Sequence, residues 1–172
     1  MFKVNPMPQG EAIIPEFDQE MATTRRVLER VPSDKGQWKP HPKSFALGHL
    51  AQLVSWMPGW IDKTLRQPTL DIGAGGEGGT YSFENTAKLL SDFDDNVRAA
   101  RKALQETPDA AWGESWSLVR GGQTLWTAPR TVVVRNHINH LIHHRAQLTV
   151  YFRLLDVPVP ATYGPSADER TF

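Results

Sequence analysis

Four stretches of this chain repeat apolar residues at the spacing of an α-helix, and Pro- or Gly-rich breaks separate them. Ile13, Phe17, Met21, Thr24 and Leu28 share one face of a first helix, expected from Ile13 to about Arg30, and the Val31–Gly36 segment ends it. Ser44 is an N-cap type residue for a second helix that runs to about Leu65. Pro58 lies inside that helix, removes one backbone hydrogen bond and predicts a kink near Val54. A third helix starts near Ser82 or Asn85 and reaches about Glu106, with Leu89, Leu90, Phe93, Val97, Ala100 and Leu104 on its buried face. Thr127 caps a fourth, with Pro129 in its first turn, and the run from Val157 to Pro160 stops it after about Leu155. Four amphipathic helices predict an all-α chain. The expected architecture is a single-domain four-helix bundle over residues 1–172 with long connections, an N-terminal arm at 1–10 and a C-terminal tail at 156–172. Ser115–Leu118 and Gln123–Thr127 flank Gly121 and Gly122, which fits either one small hairpin before the last helix or a plain loop. Asp71–Gly79 holds five glycines and reads as a mobile surface loop.

Composition narrows the function classes. The 172 residues suit one core, and 40% of them are hydrophobic. With 19 basic and 19 acidic residues the formal net charge is zero, so the electrostatic attraction of a nucleic-acid binder is missing. No apolar run is long enough to span a bilayer, and the first residues lack the apolar stretch of a signal peptide. The expectation is a cytoplasmic protein with neither nucleic-acid nor membrane partners. There is no cysteine, so any metal must be held by His, Asp or Glu. The glycine-rich loop lacks the Lys-Ser/Thr ending and preceding strand of a phosphate cradle and is assigned no function.

Four of the six histidines fall between Asn136 and Gln147. At about 100° per residue, His137, His140 and His144 lie in one sector about 60° wide. That sector flanks the core-facing line of Val134, Leu141, Leu148 and Phe152, so the three histidines are expected partly in the core. His143 points to the opposite side and is expected outside any site. One helical turn brings an i, i+4 pair such as His140 and His144 together, and neutral imidazole suits zinc, nickel, iron or copper. A third ligand must come from elsewhere. His49 shares a face of the second helix with Phe45, Leu53, Trp56 and Trp60 and is the leading candidate, with His41 and His137 in reserve. The competing reading is that His49 is a core histidine bonded to a backbone carbonyl or to water, and that the spacing of the pair is coincidental or simply serves hydrogen bonding.

Longer phrases carry a resemblance. Lys39–Ala51, the Met57-Pro58-Gly59-Trp60 turn, Asn139–Leu148 and Val159–Glu169 together resemble the DinB/YfiT-like family of damage-inducible, metal-dependent proteins, from the first helix onward. The Asn139–Leu148 motif is the most specific of them. The resemblance implies a four-helix bundle, commonly a homodimer, with one divalent transition metal (zinc or nickel) on three histidines. The pair maps onto His140 and His144. The helix-two ligand of the family corresponds to Leu53, whereas His49 stands one turn, about 5.4 Å, earlier. Six tryptophans also point to an apolar interface. Two functions follow as expectations. One is a metal-dependent enzyme working through metal-activated water or thiol, a hydrolase or small-thiol transferase acting on a small-molecule substrate. The other is a non-catalytic stress-response or ligand-binding bundle that has lost the full triad, with a pocket of Trp56, Trp60, Phe93 and Tyr151. Glu16, Asp18 and Glu20 are candidate general bases, no catalytic residue is fixed, and Arg145 reads as a hydrogen-bonding or ion-pair residue near the site rather than a catalyst.

Overall fold

The computed structural model describes residues 7–73 and 81–170. The helical spacing appears as four long helices, α1 (Gln9–Leu28), α2 (Leu47–Arg66), α3 (Thr86–Glu106) and α5 (Arg130–Leu154), with a single turn α4 (Asp109–Trp112). Helices α1 and α2 each pack against both α3 and α5. Their apolar faces meet in one core that fully buries Phe17, Leu28, Leu50, Met57, Phe93, Ile138 and Phe152. Each such side chain contributes about 2 kcal/mol by leaving water. Among the described residues no helix is long and apolar enough to cross a membrane.

The chain is not all-α. A three-stranded sheet joins β1 (Thr69–Asp71), β2 (Ser115–Arg120) and β3 (Gln123–Pro129) in that order. The two-way reading of Ser115–Thr127 resolves to the hairpin: β2 and β3 pair antiparallel across Gly121 and Gly122, both at positive φ (54° and 83°). Two successive positive φ angles form the tight turn that matches strand twist, and glycine adopts them without strain. Strand β1 pairs in parallel with β2 and replaces the start of the expected 71–79 loop. Asp71 Oδ1 accepts from Gly73 N (2.8 Å) and Gly121 N (3.0 Å), tying β1 to the hairpin turn. Those backbone donors hold its carboxyl below the usual carboxylate range. The rest of the glycine-rich segment, residues 74–80, lies outside the described residues, as does most of the 1–10 arm. Leu70, Trp116 and Val133 form a second, smaller core that seats the sheet on α5.

Several helix ends differ from the sequence reading. Helix α1 starts at Gln9, inside the expected arm, with its first N–H bonded to Asp109 Oδ1 (2.9 Å). Ser44 does not cap α2, which begins at Leu47. Its leading N–H groups are taken by connector carbonyls, Leu47 N to Trp38 O and Gly48 N to Gly36 O, both 2.9 Å, so no side-chain cap is needed. The helix continues through Pro58 to Arg66. Asn85 does cap α3, accepting from Lys88 N at 2.9 Å. Thr127 belongs to β3, where its hydroxyl meets Ser117 Oγ at 2.7 Å, so α5 begins three residues later.

Candidate functional site

Helix α5 buries Val133, Val134, Leu141, Leu148 and Phe152, which fixes its rotation and sets His140 and His144 at the rim of the core. Their Nε2 atoms face each other 2.9 Å apart. One turn on, Gln147 bridges two imidazoles. Its Oε1 lies 2.7 Å from His144 Nδ1 and its Nε2 lies 3.1 Å from His143 Nε2. An amide oxygen accepts only, so His144 Nδ1 carries the proton and His144 Nε2 presents its lone pair to His140. Partial desolvation by the surrounding side chains, together with the neighbouring imidazoles His144 and His143, holds His140 below the ordinary imidazole range. Burial lowers His144 as well, partly opposed by the hydrogen bond it donates to Gln147. Both are therefore neutral, the ligating form, at neutral pH.

The pair has the geometry of two ligands on one ion. Two nitrogens bound at about 2.0–2.1 Å lie about 2.9 Å apart at a right angle and about 3.3 Å apart in a tetrahedron. The fixed Nδ1–H of His144 is the outer hydrogen bond that metal-ligating histidines usually make. A complete three-ligand set is not assembled: among the described residues no group of three His, Asp or Glu side chains comes together. Leu53 is buried where the resemblance implies a ligand. His49 is half-buried and stacked between Phe45 (4.4 Å between centroids) and Tyr81 (3.8 Å). Phe45 in turn lies 6.5 Å from the His144 ring. Stacking occupies the faces of His49, and among the described residues no hydrogen bond engages its in-plane nitrogens. His41 is exposed in the connector and accepts from Lys43 N at 3.2 Å.

Two sequence expectations need correction here. Of the three-histidine stripe only His137 enters the core; His140 is exposed and His144 half-buried. His137 is committed elsewhere, its Nε2 hydrogen-bonded to Thr64 Oγ1 at 3.0 Å, and burial pushes it down to about 4. The candidate bases on α1 are all engaged. Glu16 pairs with Arg135, Asp18 with Arg101 at 2.9 Å and Glu20 with the buried Arg145 at 2.7 Å. Arg145 does form an ion pair, but its partners, Glu20, Thr24 and Tyr163, lie on the α1 side of α5 and not at the expected site.

Beside the pair opens a cavity of about 480 Å³ walled by Trp56, Trp60, Tyr81, Trp116 and Trp126, with His137 and His140 on its α5 side. Trp60 lies 6.0 Å from His140 and 5.8 Å from His137, centroid to centroid. Its size suits a small molecule. The expected pocket was only half right: Phe93 is sealed in the main core, and Tyr151 donates to Phe45 O (3.2 Å) in a separate hollow.

The sequence matches the DinB family over residues 7–171. This chain belongs to the DinB family. Among solved structures it resembles a DinB-like protein from Bacillus cereus ATCC 10987, with 20% identity, TM-score 0.69 and coverage of 89% of this chain and 97% of that one. It also resembles the DinB-like protein YjoA from Bacillus subtilis, with 14% identity, TM-score 0.66 and coverage of 94% and 99%. At such identities the likeness concerns the DinB fold. No curated protein matches the sequence.

Sequence reasoning missed Gln147, Thr64 and the sheet tryptophans. The spacing of Gln147, i+3 from His144 and i+4 from His143, was a readable signal. Thr64 and Trp116 come from other elements, and nothing local marks them.

Proposed function

We propose that this protein is a DinB-type four-helix bundle that holds one divalent transition metal, zinc or nickel, on His140 and His144. The observation that carries this reading is the facing pair of Nε2 atoms at 2.9 Å, with the His144 tautomer fixed by Gln147. His49 is the candidate third donor, its in-plane nitrogens without a hydrogen bond among the described residues and next to the same aromatic group. When bound, such a metal supplies Lewis acidity and lowers the pKa of a coordinated water or thiol. The residues of this chain do the rest. Gln147 orients His144, and the tryptophan walls receive the small-molecule substrate and exclude water beside His140. The reaction proposed is hydrolysis or small-thiol transfer. A homodimer is proposed as well, and exposed Phe45, Leu125, Trp126 and Val132 offer apolar surface for it.

Buried Leu53 favours a second reading, a ligand-binding bundle without catalysis. Elemental analysis of the purified protein separates the two. About one zinc or nickel per chain, lost in His140→Ala and His144→Ala, supports the metal site. Metal-free protein that also takes up none on incubation supports the second reading.

A further inference from the structure

His140 and His144 border two hollows of opposite character. His140 lines the tryptophan cavity, whose described lining includes no Asp, Glu, Lys or Arg. His144 lines the hollow beside Tyr151, about 370 Å³, whose lining adds Lys43, Ser44, Phe45 and Gln147. The two imidazole rings are 4.7 Å apart, centroid to centroid, so both hollows adjoin one pair of rings.

Lys43 gives the second hollow its charge. No described Asp or Glu lines it, and among the described residues the Lys43 ammonium pairs with no carboxylate. Elsewhere in the chain Arg25, Arg66, Arg101, Arg130 and Arg153 each hold an acidic side chain. The adjacent Ser44 hydroxyl likewise has no hydrogen-bond partner among the described residues. The other polar groups of the hollow are engaged: the Gln147 amide meets His143 and His144, and Tyr151 donates to Phe45 O. A visiting molecule therefore meets an ammonium and a hydroxyl on successive residues, donors for the two oxygens of a carboxylate. A carboxylate placed among the tryptophans would instead lose its hydration with no counter-charge to replace it. An apolar body gains most by leaving water in that cavity.

We propose that the two hollows are the two halves of one site, which binds an organic acid with an apolar body. The body packs among Trp56, Trp60 and Trp126, and the carboxylate reaches past the histidine pair to Lys43 and Ser44. The middle of such a molecule lies against His140 and His144. Lys43 then sets the preference for acids over neutral and cationic analogues. This names the substrate class for the proposed function and rests on that reading only in placing the substrate beside the pair.

The test titrates the full chain, stripped of metal with EDTA, with phenylbutyrate, phenylbutanol and phenylbutylamine. These share a ring and a chain and differ in the charge of the head. Calorimetry gives the dissociation constants. Phenylbutyrate should bind about threefold tighter than phenylbutanol, the scale of an exposed ion pair, and added salt should narrow the difference. Phenylbutylamine should bind most weakly. Lys43 is exposed, so its variants keep the fold. Lys43→Met should level the acid and the alcohol, and Lys43→Glu should put the amine ahead of the acid. Trp126→Ala, at a residue 36% exposed, should weaken all three by about fivefold. Equal binding of acid and alcohol overturns the proposal, as does an acid preference that survives Lys43→Glu. Unchanged binding in Trp126→Ala, or no binding of any of the three, overturns it too. Because no metal is present, failure here leaves the histidine pair untouched, and failure of the pair to bind metal leaves this result standing.

Discussion

Among the histidines, depth decides the chemistry. His137 is neutral in the fold and titrates at about 4, against an ordinary 6.5. The unfolded chain therefore binds more protons between those values, so stability is full above about pH 6.5 and is lost as pH falls toward 4. The loss amounts to about 3 kcal/mol at most. Urea unfolding from pH 7 to 4.5 should show it, and His137→Gln, which keeps a partner for Thr64, should flatten that part of the profile. His140 and His144 are also lowered, so protons begin to compete with metal only below the ordinary imidazole range. Added nickel should raise the melting temperature at pH 7.5 and do so far less at about pH 5. His144→Ala should abolish the rise, whereas His143→Ala should keep it. The helical phase that groups His140 with His144 was legible from spacing alone, but His143 does not point to the opposite side as expected: its ring lies 5.0 Å from that of His144 and meets the same Gln147 amide. The depth of each ring was not legible, because Thr64, Trp60 and Trp116 reach α5 from elements far away in sequence.

Element by element, the breaks were read better than the caps. Proline, glycine and periodicity mark all four long helices, but α2 is capped by the carbonyls of Gly36 and Trp38, a tertiary arrangement with no side-chain signature. Strand β1 is three residues long and exists through its pairing with β2, so no local pattern announces it. Two glycines carry testable constraints. A Cβ at Gly10 would stand 2.0 Å from the Leu104 carbonyl oxygen, forcing α1 away from the end of α3. Gly10→Ala should therefore destabilise by about 2 kcal/mol or more, the cost of overpacking against rigid backbone. Gly113→Ala, with nothing within 4 Å, should be close to neutral and serves as the control. Gly122→Ala meets open space, yet its φ of 83° should still cost about 1 kcal/mol in thermal or urea unfolding.

Across the whole molecule, one buried network ties the C-terminal tail to the helices. Arg145 and Glu20 pair at 2.7 Å with side chains 3% and 7% exposed. Tyr163 donates to Glu20 Oε1 at 2.7 Å, under the Arg145 guanidinium 5.4 Å from its ring centre. Farther along the tail, Glu169 pairs with Arg26 and Arg30 on α1. Arg145→Ala strands a buried carboxylate and should cost about 3–5 kcal/mol. Tyr163→Phe removes one hydrogen bond and should cost about 1–2 kcal/mol. The sequence marked Arg145 as an ion-pair residue. Its partner Glu20 was read as a candidate base, because charge alone does not tell a buried structural carboxylate from a reactive one. The central claim, a metal held by His140 and His144, is tested most directly by calorimetric titration of EDTA-stripped protein with nickel at pH 7.5. The account predicts one ion per chain, with binding lost in His140→Ala and His144→Ala, kept in His143→Ala and weakened in His49→Ala. No binding to the wild-type chain, or unchanged binding in His144→Ala, would contradict it.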